Sequence, residues 1–369
     1  MLKKFYKVIA LILITCFAFT FSACDATSFY AFLEETFGIV IETGKPPASP
    51  VVPIETGELS IHFMELGNDY AGDCALIDIG EVEVLVDAGS KTNSADTIVP
   101  YINKYCTDGK LEYVIATHAH QDHIAAFVDD SNTKGIFSSF VCETIIDFPL
   151  TNATTKVYQN YQTLRDKEVQ EGAKHYTALE CYNNQNGATR TITLAENVYI
   201  EILYNTYYEN KTSNENNYSV CFLLKQGANN YLFTGDLEEE GEEYLVRDND
   251  LPKCLLYKAG HHGSYTASHN VLLDVIEPEI CVVCCCAGTD EYSKDKNIQF
   301  PSQDFITRIS KHTDKVYVPS VVSNNSQGFE SMNGDIVIIS NGLTHRVVCS
   351  NNDIILKETA WFKENRVWG

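Results

Sequence analysis

Basic residues are scarce in this chain: 27 Lys and Arg stand against 50 Asp and Glu in 369 residues, a formal net charge of −23. Loss of Lys3, Lys4 and Lys7 with an amino-terminal leader leaves 24 basic residues and a net −26. A nonspecific nucleic-acid binder carries a basic footprint that neutralises phosphates, and none is visible; long polyanions are repelled at a distance, and nucleic acid is expected only as substrate. No short-period repeat is present, which argues against a repeat architecture. A disulfide framework is missing as well. Eleven cysteines remain once Cys16 and Cys24 are set aside with the leader, an odd number without small-scaffold spacing. Cys281-Val282-Val283-Cys284-Cys285-Cys286 reads as a buried strand in which cysteine serves as a small hydrophobe.

Long apolar runs are confined to the first residues. Lys3, Lys4 and Lys7 precede the run Val8 to Phe21, short for a membrane span and followed by Ser22-Ala23-Cys24. This pattern resembles a bacterial lipoprotein signal peptide, apart from Phe21 where an aliphatic residue is usual. The resemblance implies that Cys24 becomes the lipidated first residue and tethers the protein to the cell membrane on its outer side; without lipidation it would be secreted. Residues 24–58 then form a tether, because Lys45-Pro46-Pro47-Ala48-Ser49-Pro50 and Pro53 favour a stiff, extended, unpacked chain. Three parts are expected: a signal peptide at 1–23, the tether at 24–58 and one folded domain at 59–369.

Within that domain, short apolar runs bounded by Gly, Asp or Asn predict strands at Leu59 to Leu66, Cys74 to Ile79, Val82 to Val86 and Leu111 to Ala116. A second set is predicted at Thr191 to Leu194, Val198 to Leu203, Ser219 to Leu224, Tyr231 to Phe233, Leu255 to Lys258, Ile280 to Cys286, Val316 to Pro319 and Asp335 to Ser340. Helical patterns lie between them, at Ser94 to Tyr105, His123 to Asp129, Ala153 to Glu171, Glu238 to Arg247, Ser268 to Val275 and Ser302 to His312. Two strand-rich halves with interspersed helices predict two packed sheets covered by helices, an α+β fold. The stretch Pro149 to Asn217, rich in Asn, Tyr and Thr, reads as one surface helix plus an insertion near the mouth of a site. Tyr158, Tyr161, Tyr204, Tyr207 and Tyr208 there read as ordinary half-exposed surface or as an aromatic wall.

Thr117-His118-Ala119-His120-Gln121-Asp122-His123 packs three imidazoles and a carboxylate behind the run Leu111 to Ala116. Thr234-Gly235-Asp236 closes the run Tyr231 to Phe233, and Gly260-His261-His262-Gly263-Ser264 follows Leu255 to Tyr257. Half of the ten histidines lie in these motifs. Neutral imidazole and carboxylate are the ligands of zinc and manganese, and crowding titratable groups at a strand end is electrostatically awkward unless a cation offsets it. His62, His269, His312 and His345, isolated on their segments, read as ordinary core or surface residues.

Together these motifs, with Val84-Leu85-Val86-Asp87-Ala88-Gly89 and Asn216-Asn217-Tyr218-Ser219-Val220, resemble the metallo-β-lactamase superfamily, and within it the hydrolase domain of ComEC-type competence proteins and their stand-alone relatives. The resemblance spans roughly Leu59 to Leu343. It implies a four-layer αββα sandwich with two divalent ions, Zn or Mn, at one edge between the sheets. On that template His118 and His120 hold one ion, Asp122 and His123 the other, Asp236 bridges both and His262 completes the set. His261 would face the substrate, Asp87 would orient a ligand imidazole, and Lys258 would meet an anionic group. Asp122, His261 and Lys258 are thus the expected catalytic residues.

Departures from the pattern are informative. Only His175 lies where many superfamily members supply a further ligand, so the first site would be completed by water or by a residue near Ser219. Phe300-Pro301 replaces a His-Pro pair. Asp236 stands where zinc β-lactamases carry cysteine, which argues against antibiotic hydrolysis. The expected activity is metal-dependent hydrolysis of a phosphoester, most simply a phosphodiester. The rivals are a lactonase or thioesterase on the same site, and a surface lipoprotein that binds metal or ligand without turnover.

Overall fold

The computed structural model describes residues 55–323 and 328–369. The expected signal peptide and most of the expected tether lie outside the described residues. Near the start of the described residues, the Thr56 amide donates to the Asn341 carbonyl at 2.9 Å and its Oγ1 accepts from Gln226 Nε2 at 2.7 Å.

Apolar alternation dictates the architecture. Along Cys221-Phe222-Leu223-Leu224 and Tyr231-Leu232-Phe233, successive side chains fall on opposite faces of a sheet. Both faces are buried: Phe222, Leu224, Tyr231 and Phe233 join one apolar core, Cys221, Leu223 and Leu232 another. A sheet buried on both sides requires a layer on each. In chain order the strands are β1 (Leu59–Phe63), β2 (Ala75–Ile79), β3 (Val82–Val86), β4 (Lys110–Ile115), β5 (Val141–Asp147) and β6 (Lys174–Thr177). Next come β7 (Thr191–Ala195), β8 (Val198–Ile202), β9 (Phe222–Gln226), β10 (Asn229–Phe233), β11 (Leu256–Lys258) and β12 (Ile280–Val282). The last are β13 (Cys286–Ala287), β14 (Lys315–Tyr317), β15 (Ser320–Val322), β16 (Phe329–Ser331), β17 (Ile336–Ser340) and β18 (His345–Cys349).

An eight-stranded sheet runs β18-β17-β1-β2-β3-β4-β5-β6, and a seven-stranded sheet runs β14-β12-β11-β10-β9-β8-β7. Strands β13, β15 and β16 make a small third sheet. Inner faces of the two large sheets share one core, in which Phe63 stacks on Phe233 with ring centroids 6.0 Å apart. Helices Ala95–Ile102 and Lys156–Glu171 bury Ile98, Ile102 and Tyr161 in that core. Helices Glu239–Asp248, Asn270–Ile276 and Gln303–Ile309 bury Leu245, Leu273 and Phe305 in the core behind the second sheet. The result is the αββα sandwich. Strands β3 to β6 are mutually parallel, as are β10, β11, β12 and β14. Ligands of open parallel sheets gather outside the carboxyl ends of such strands, where β4, β10 and β11 hand over to the histidine- and aspartate-rich loops.

Three expectations are corrected. The stretch from Pro149 to Asn217 is no mere insertion: beyond the two strands read in it, Lys174–Thr177 extends the first sheet and Ala178–Asn183 forms a helix capped reciprocally by Thr177 and Glu180. Its tyrosines make no wall, since Tyr161, Tyr207 and Tyr208 are buried. The strand expected from Ile280 to Cys286 breaks after Val282 and resumes at Cys286, and the intervening turn presents the Cys284 carbonyl sideways. Cys281, Cys284, Cys285 and Cys286 are nonetheless buried, and all eleven cysteines of the described residues are free thiols.

His62 on β1 is buried, with Nδ1 3.0 Å from the Tyr101 hydroxyl and its ring on Tyr105. Burial pushes its pKa down to about 4. The folded chain therefore keeps this imidazole neutral while the unfolded chain protonates it below about 6.5, so stability is intact above that pH and declines as pH falls toward 4. The whole decline amounts to about 3 kcal/mol by the linkage relation. His62→Phe should flatten the stability profile between pH 6.5 and 4 in urea titrations; an unchanged profile would mean that another group carries the acid sensitivity.

Candidate metal centre

Strand β4 ends in the buried pair Val114-Ile115, and the chain turns after Ala116. His120 keeps extended backbone angles (φ −70°, ψ 150°) immediately before the short helix Gln121–Ile124, which places Asp122 and His123 in its first turn, both buried. Three loops are laced together here by their backbones. Asp73 N donates to the Asp122 carbonyl at 3.0 Å, Gly89 N to the Asp73 carbonyl at 2.8 Å, and Ala88 N to the His123 carbonyl at 2.7 Å. The approach is so close that a β-carbon at Gly89 would lie 1.6 Å from the Asp122 carbonyl oxygen. Only glycine fits there.

Each buried imidazole is aimed by its other nitrogen. His123 Nδ1 lies 2.7 Å from Asp87 Oδ2, which directs Nε2 to within 3.1 Å of Asp236 Oδ2. Asp87 is itself fixed by Thr117, whose amide and hydroxyl each donate to it at 2.7 Å. His262 Nδ1 meets the Cys284 carbonyl at 2.9 Å, so that Nε2 stands 3.3 Å from both Asp122 Oδ2 and Asp236 Oδ2. Hence the break in the 280–286 strand has a use: it frees a carbonyl to orient a ligand histidine. His118 Nε2 and His120 Nδ1 face each other at 3.0 Å, and Ser219 Oγ stands 3.5 Å from His118 Nδ1.

His261 and His262 both occupy the left-handed region, at φ 46° and 52°, flanked by Gly260 and Gly263. Such backbone costs on the order of 1–3 kcal/mol per residue and persists only where neighbours over-determine it. The turn sends the two rings apart. His262 is fully buried among the carboxylates, whereas His261 is part-exposed, with Nδ1 2.9 Å from Thr266 Oγ1 and 3.1 Å from Glu238 Oε1.

Two residues change the expected picture. Asp73, which no sequence motif singled out, belongs to the centre: ligand-type atoms of Asp73, His123, Asp236 and His262 all lie within 4.8 Å of one another. Lys258 was expected to meet an anionic substrate group. Instead it is buried, in contact with Asp73, 3.5 Å from Asp236 Oδ1 and donating to the Gly235 carbonyl at 3.1 Å. It neutralises the carboxylates from beneath and has no exposed head. His175 pairs with Asp147 Oδ1 at 2.8 Å, and Arg165 saturates the same carboxylate. His62, His269, His312 and His345 pair locally with Tyr101, Glu239, Asp274 and Glu279.

The electrostatics are those of a cation site. Burial alone would lower the His123 imidazole, yet Asp236, Asp87 and Asp73 carry it up to about 10, and Asp236 and Asp73 likewise hold His262 well above its ordinary value against burial. Burial, His123 and His120 push His118 well below the usual histidine range. Burial works against an ionised Asp236, but His123, His262 and Lys258 hold it well below the usual carboxylate range. Despite this crowding, His123 Nε2, His262 Nε2, Asp73 Oδ1 and Asp236 Oδ1 are buried without a hydrogen bond. Unpartnered imidazole nitrogens and carboxylate oxygens converging on one point fit a divalent cation, which replaces the imidazole protons on binding.

Residues 67–129 match the family described as the metallo-beta-lactamase superfamily. The chain is similar to Recombination protein 2 of Haemophilus influenzae, 33% identical over 72 residues, which is 20% of this chain and 9% of that protein. It is also similar to ComE operon protein 3 of Bacillus subtilis, 26% identical over 104 residues, 28% of this chain and 12% of that protein. The alignments thus span about a tenth of the length of these curated relatives. Among solved structures, the metallo-beta-lactamase fold protein YhfI of Bacillus subtilis overlaps with a TM-score of 0.40 at 14% identity, covering 76% of this chain and 100% of that one.

Asp87 makes no contact with the converging point but holds His123 in register. Asp87→Asn should weaken divalent-metal affinity by about 10- to 100-fold in chelator competition, the usual effect of removing such a brace. Unchanged affinity would show that His123 keeps its orientation, or is not a ligand.

Proposed function

We propose that this chain, a metal-dependent hydrolase of the metallo-β-lactamase superfamily, is an exported, membrane-tethered phosphodiesterase that works with two divalent ions, zinc or manganese. The observation that carries the reading is the placement of Asp236 Oδ2 between His123 and His262, with Asp122 Oδ2 facing the same imidazole. His123, His262, Asp122 and Asp236 would hold one ion with Asp73 at its border, and His118 and His120 the other, the Asp236 carboxylate serving both. Bound ions supply Lewis acidity and bring the pKa of a water from 15.7 to about 7, so no serine or cysteine nucleophile is required.

The chain's own residues do the rest. Asp122 or Asp236 accepts the proton of the attacking water. His261, braced at Nδ1 by Thr266 and Glu238, presents its other nitrogen to the leaving oxygen or to an equatorial phosphoryl oxygen. Lys258 keeps Asp73 and Asp236 ionised from the buried side. Phe300, packed on His261 and His262 with centroids 5.7 and 5.8 Å away, lines the mouth with an apolar ring.

Similarity to Recombination protein 2 supports a nucleic-acid-type phosphodiester, while the excess of acidic residues opposes long polyanions, so short or small phosphodiesters fit best. Membrane attachment rests on the Val8 to Phe21 run and a lipidated Cys24. No helix among the described residues is long and apolar enough to cross a membrane.

Release of p-nitrophenol from bis-p-nitrophenyl phosphate with Mn or Zn, set beside degradation of single-stranded DNA and hydrolysis of lactones and thioesters, tests the reading. Phosphodiester turnover should dominate, and Asp236→Ala should lower kcat at least about 100-fold while emptying the protein of metal. A purified wild type without metal, or turnover that survives exhaustive chelation, would overturn it.

A further inference from the structure

The loop from Gly288 to Phe300 is closed at its base by the Gly288 amide donating to the Phe300 carbonyl at 2.7 Å. Its middle is pinned. Glu291 accepts from Lys91 Nζ at 2.8 Å and from Ala71 N at 3.2 Å. The next residue, Tyr292, donates its hydroxyl to Asp122 Oδ2 at 2.6 Å. Because that same oxygen lies 3.3 Å from His262 Nε2, the phenol stands at the rim of the ligand set. It comes from the solvent side: Tyr292 is 56% exposed, its ring packed on Phe300 with centroids 5.4 Å apart.

This placement is hard to account for as packing. A tyrosine buried for its apolar area hides its ring and lets its hydroxyl reach out, whereas Tyr292 does the reverse. Nor is the hydroxyl needed to complete the cage, which is made of carboxylates and imidazoles. His261 also packs on Phe300, so a phenol and an imidazole both border that one apolar ring beside the ligand set.

We propose, building on the phosphodiesterase reading, that Tyr292 contacts the substrate: its hydroxyl passes from Asp122 to a phosphoryl oxygen that the cations leave uncovered and stabilises the charge gathering there in the transition state. A donor held beside the place where charge develops has only to turn its O–H from one acceptor to the other. The pinning of Glu291 by Lys91 and Ala71 is what keeps that donor in place.

Tyr292→Phe keeps the exposed ring and deletes only the hydroxyl. In the full-length protein loaded with Mn or Zn, affinity for inorganic phosphate, read by calorimetry, should fall by about tenfold, the size of one hydrogen bond to a charged group. On bis-p-nitrophenyl phosphate, kcat should fall by about 10- to 100-fold with a smaller change in KM, because the contact strengthens in the transition state. Metal affinity in chelator competition should stay within about twofold, the phenol being no ligand. Unchanged phosphate affinity, or no phosphate binding by the wild type, would overturn the proposal. So would a loss of metal affinity that matches the loss of phosphate affinity, since the phenol would then merely brace Asp122. A wild type that cleaves no phosphodiester but whose phosphate affinity still depends on the hydroxyl would defeat the proposed function and support the Tyr292 contact.

Discussion

The carboxylate of Asp236, buried against His123 on one side and His262 on the other, is the constraint around which the sandwich is organised. Those two histidines come from different sheets: His123 from the loop after β4, His262 from the turn after β11, and Asp236 itself from the end of β10. An uncompensated buried charge costs on the order of 3–5 kcal/mol, so none of these groups is tolerable where it stands unless the other two arrive with it. The edge at which the sheets meet is therefore specified as sharply by charge as the interior is by Phe63, Phe222 and Phe233. Lys258 and Asp73 extend the same logic one layer down, an ion pair sealed beneath the cage.

Where chemistry is written in short runs, the sequence pointed to His123, Asp236 and His262, which the structure brings together. His118, His120, Asp122 and His123 follow an apolar strand within six residues, and the motifs around Asp236 and His262 sit at the ends of two more strands, so their convergence follows from ordinary strand-to-loop geometry. Two packed sheets under helices were legible from two strand-rich halves with helices between them, and the stretches Cys221-Phe222-Leu223-Leu224 and Tyr231-Leu232-Phe233 show why cover is needed on both faces. Lone residues were not legible. Asp73 carries no pattern beyond a neighbouring glycine, and Tyr292 lies in a polar loop whose path is set by contacts of Glu291 with Ala71 and Lys91, 220 and 200 positions away. Lys258 was misread because position at a strand end does not reveal whether a side chain turns outward to a ligand or inward to a carboxylate. The polar edge strand Lys174–Thr177 escaped notice because only its backbone pairing, not its side chains, makes it a strand.

Second partners decide how each histidine is used. Asp87, Cys284 through its carbonyl, Thr266 and Glu238 each face one nitrogen of a histidine and thereby choose what the other nitrogen can do. In the paired histidines this division is complete: adjacent residues in one strained turn have opposite fates, His262 sealed among carboxylates and His261 left at the surface. Their difference is created by the backbone, since the side chains are identical.

The free thiols carry a consequence for handling in air. Ten of the eleven are buried, and burial raises Cys281, Cys284, Cys285 and their like far from the thiolate form that reacts. While the sandwich stays closed, dissolved oxygen and small disulfides have almost nothing to attack. Once it opens, eleven sulfurs are released together into a flexible chain and can cross-link at random, so denaturation in air becomes a one-way event and durability is governed by how slowly the molecule opens.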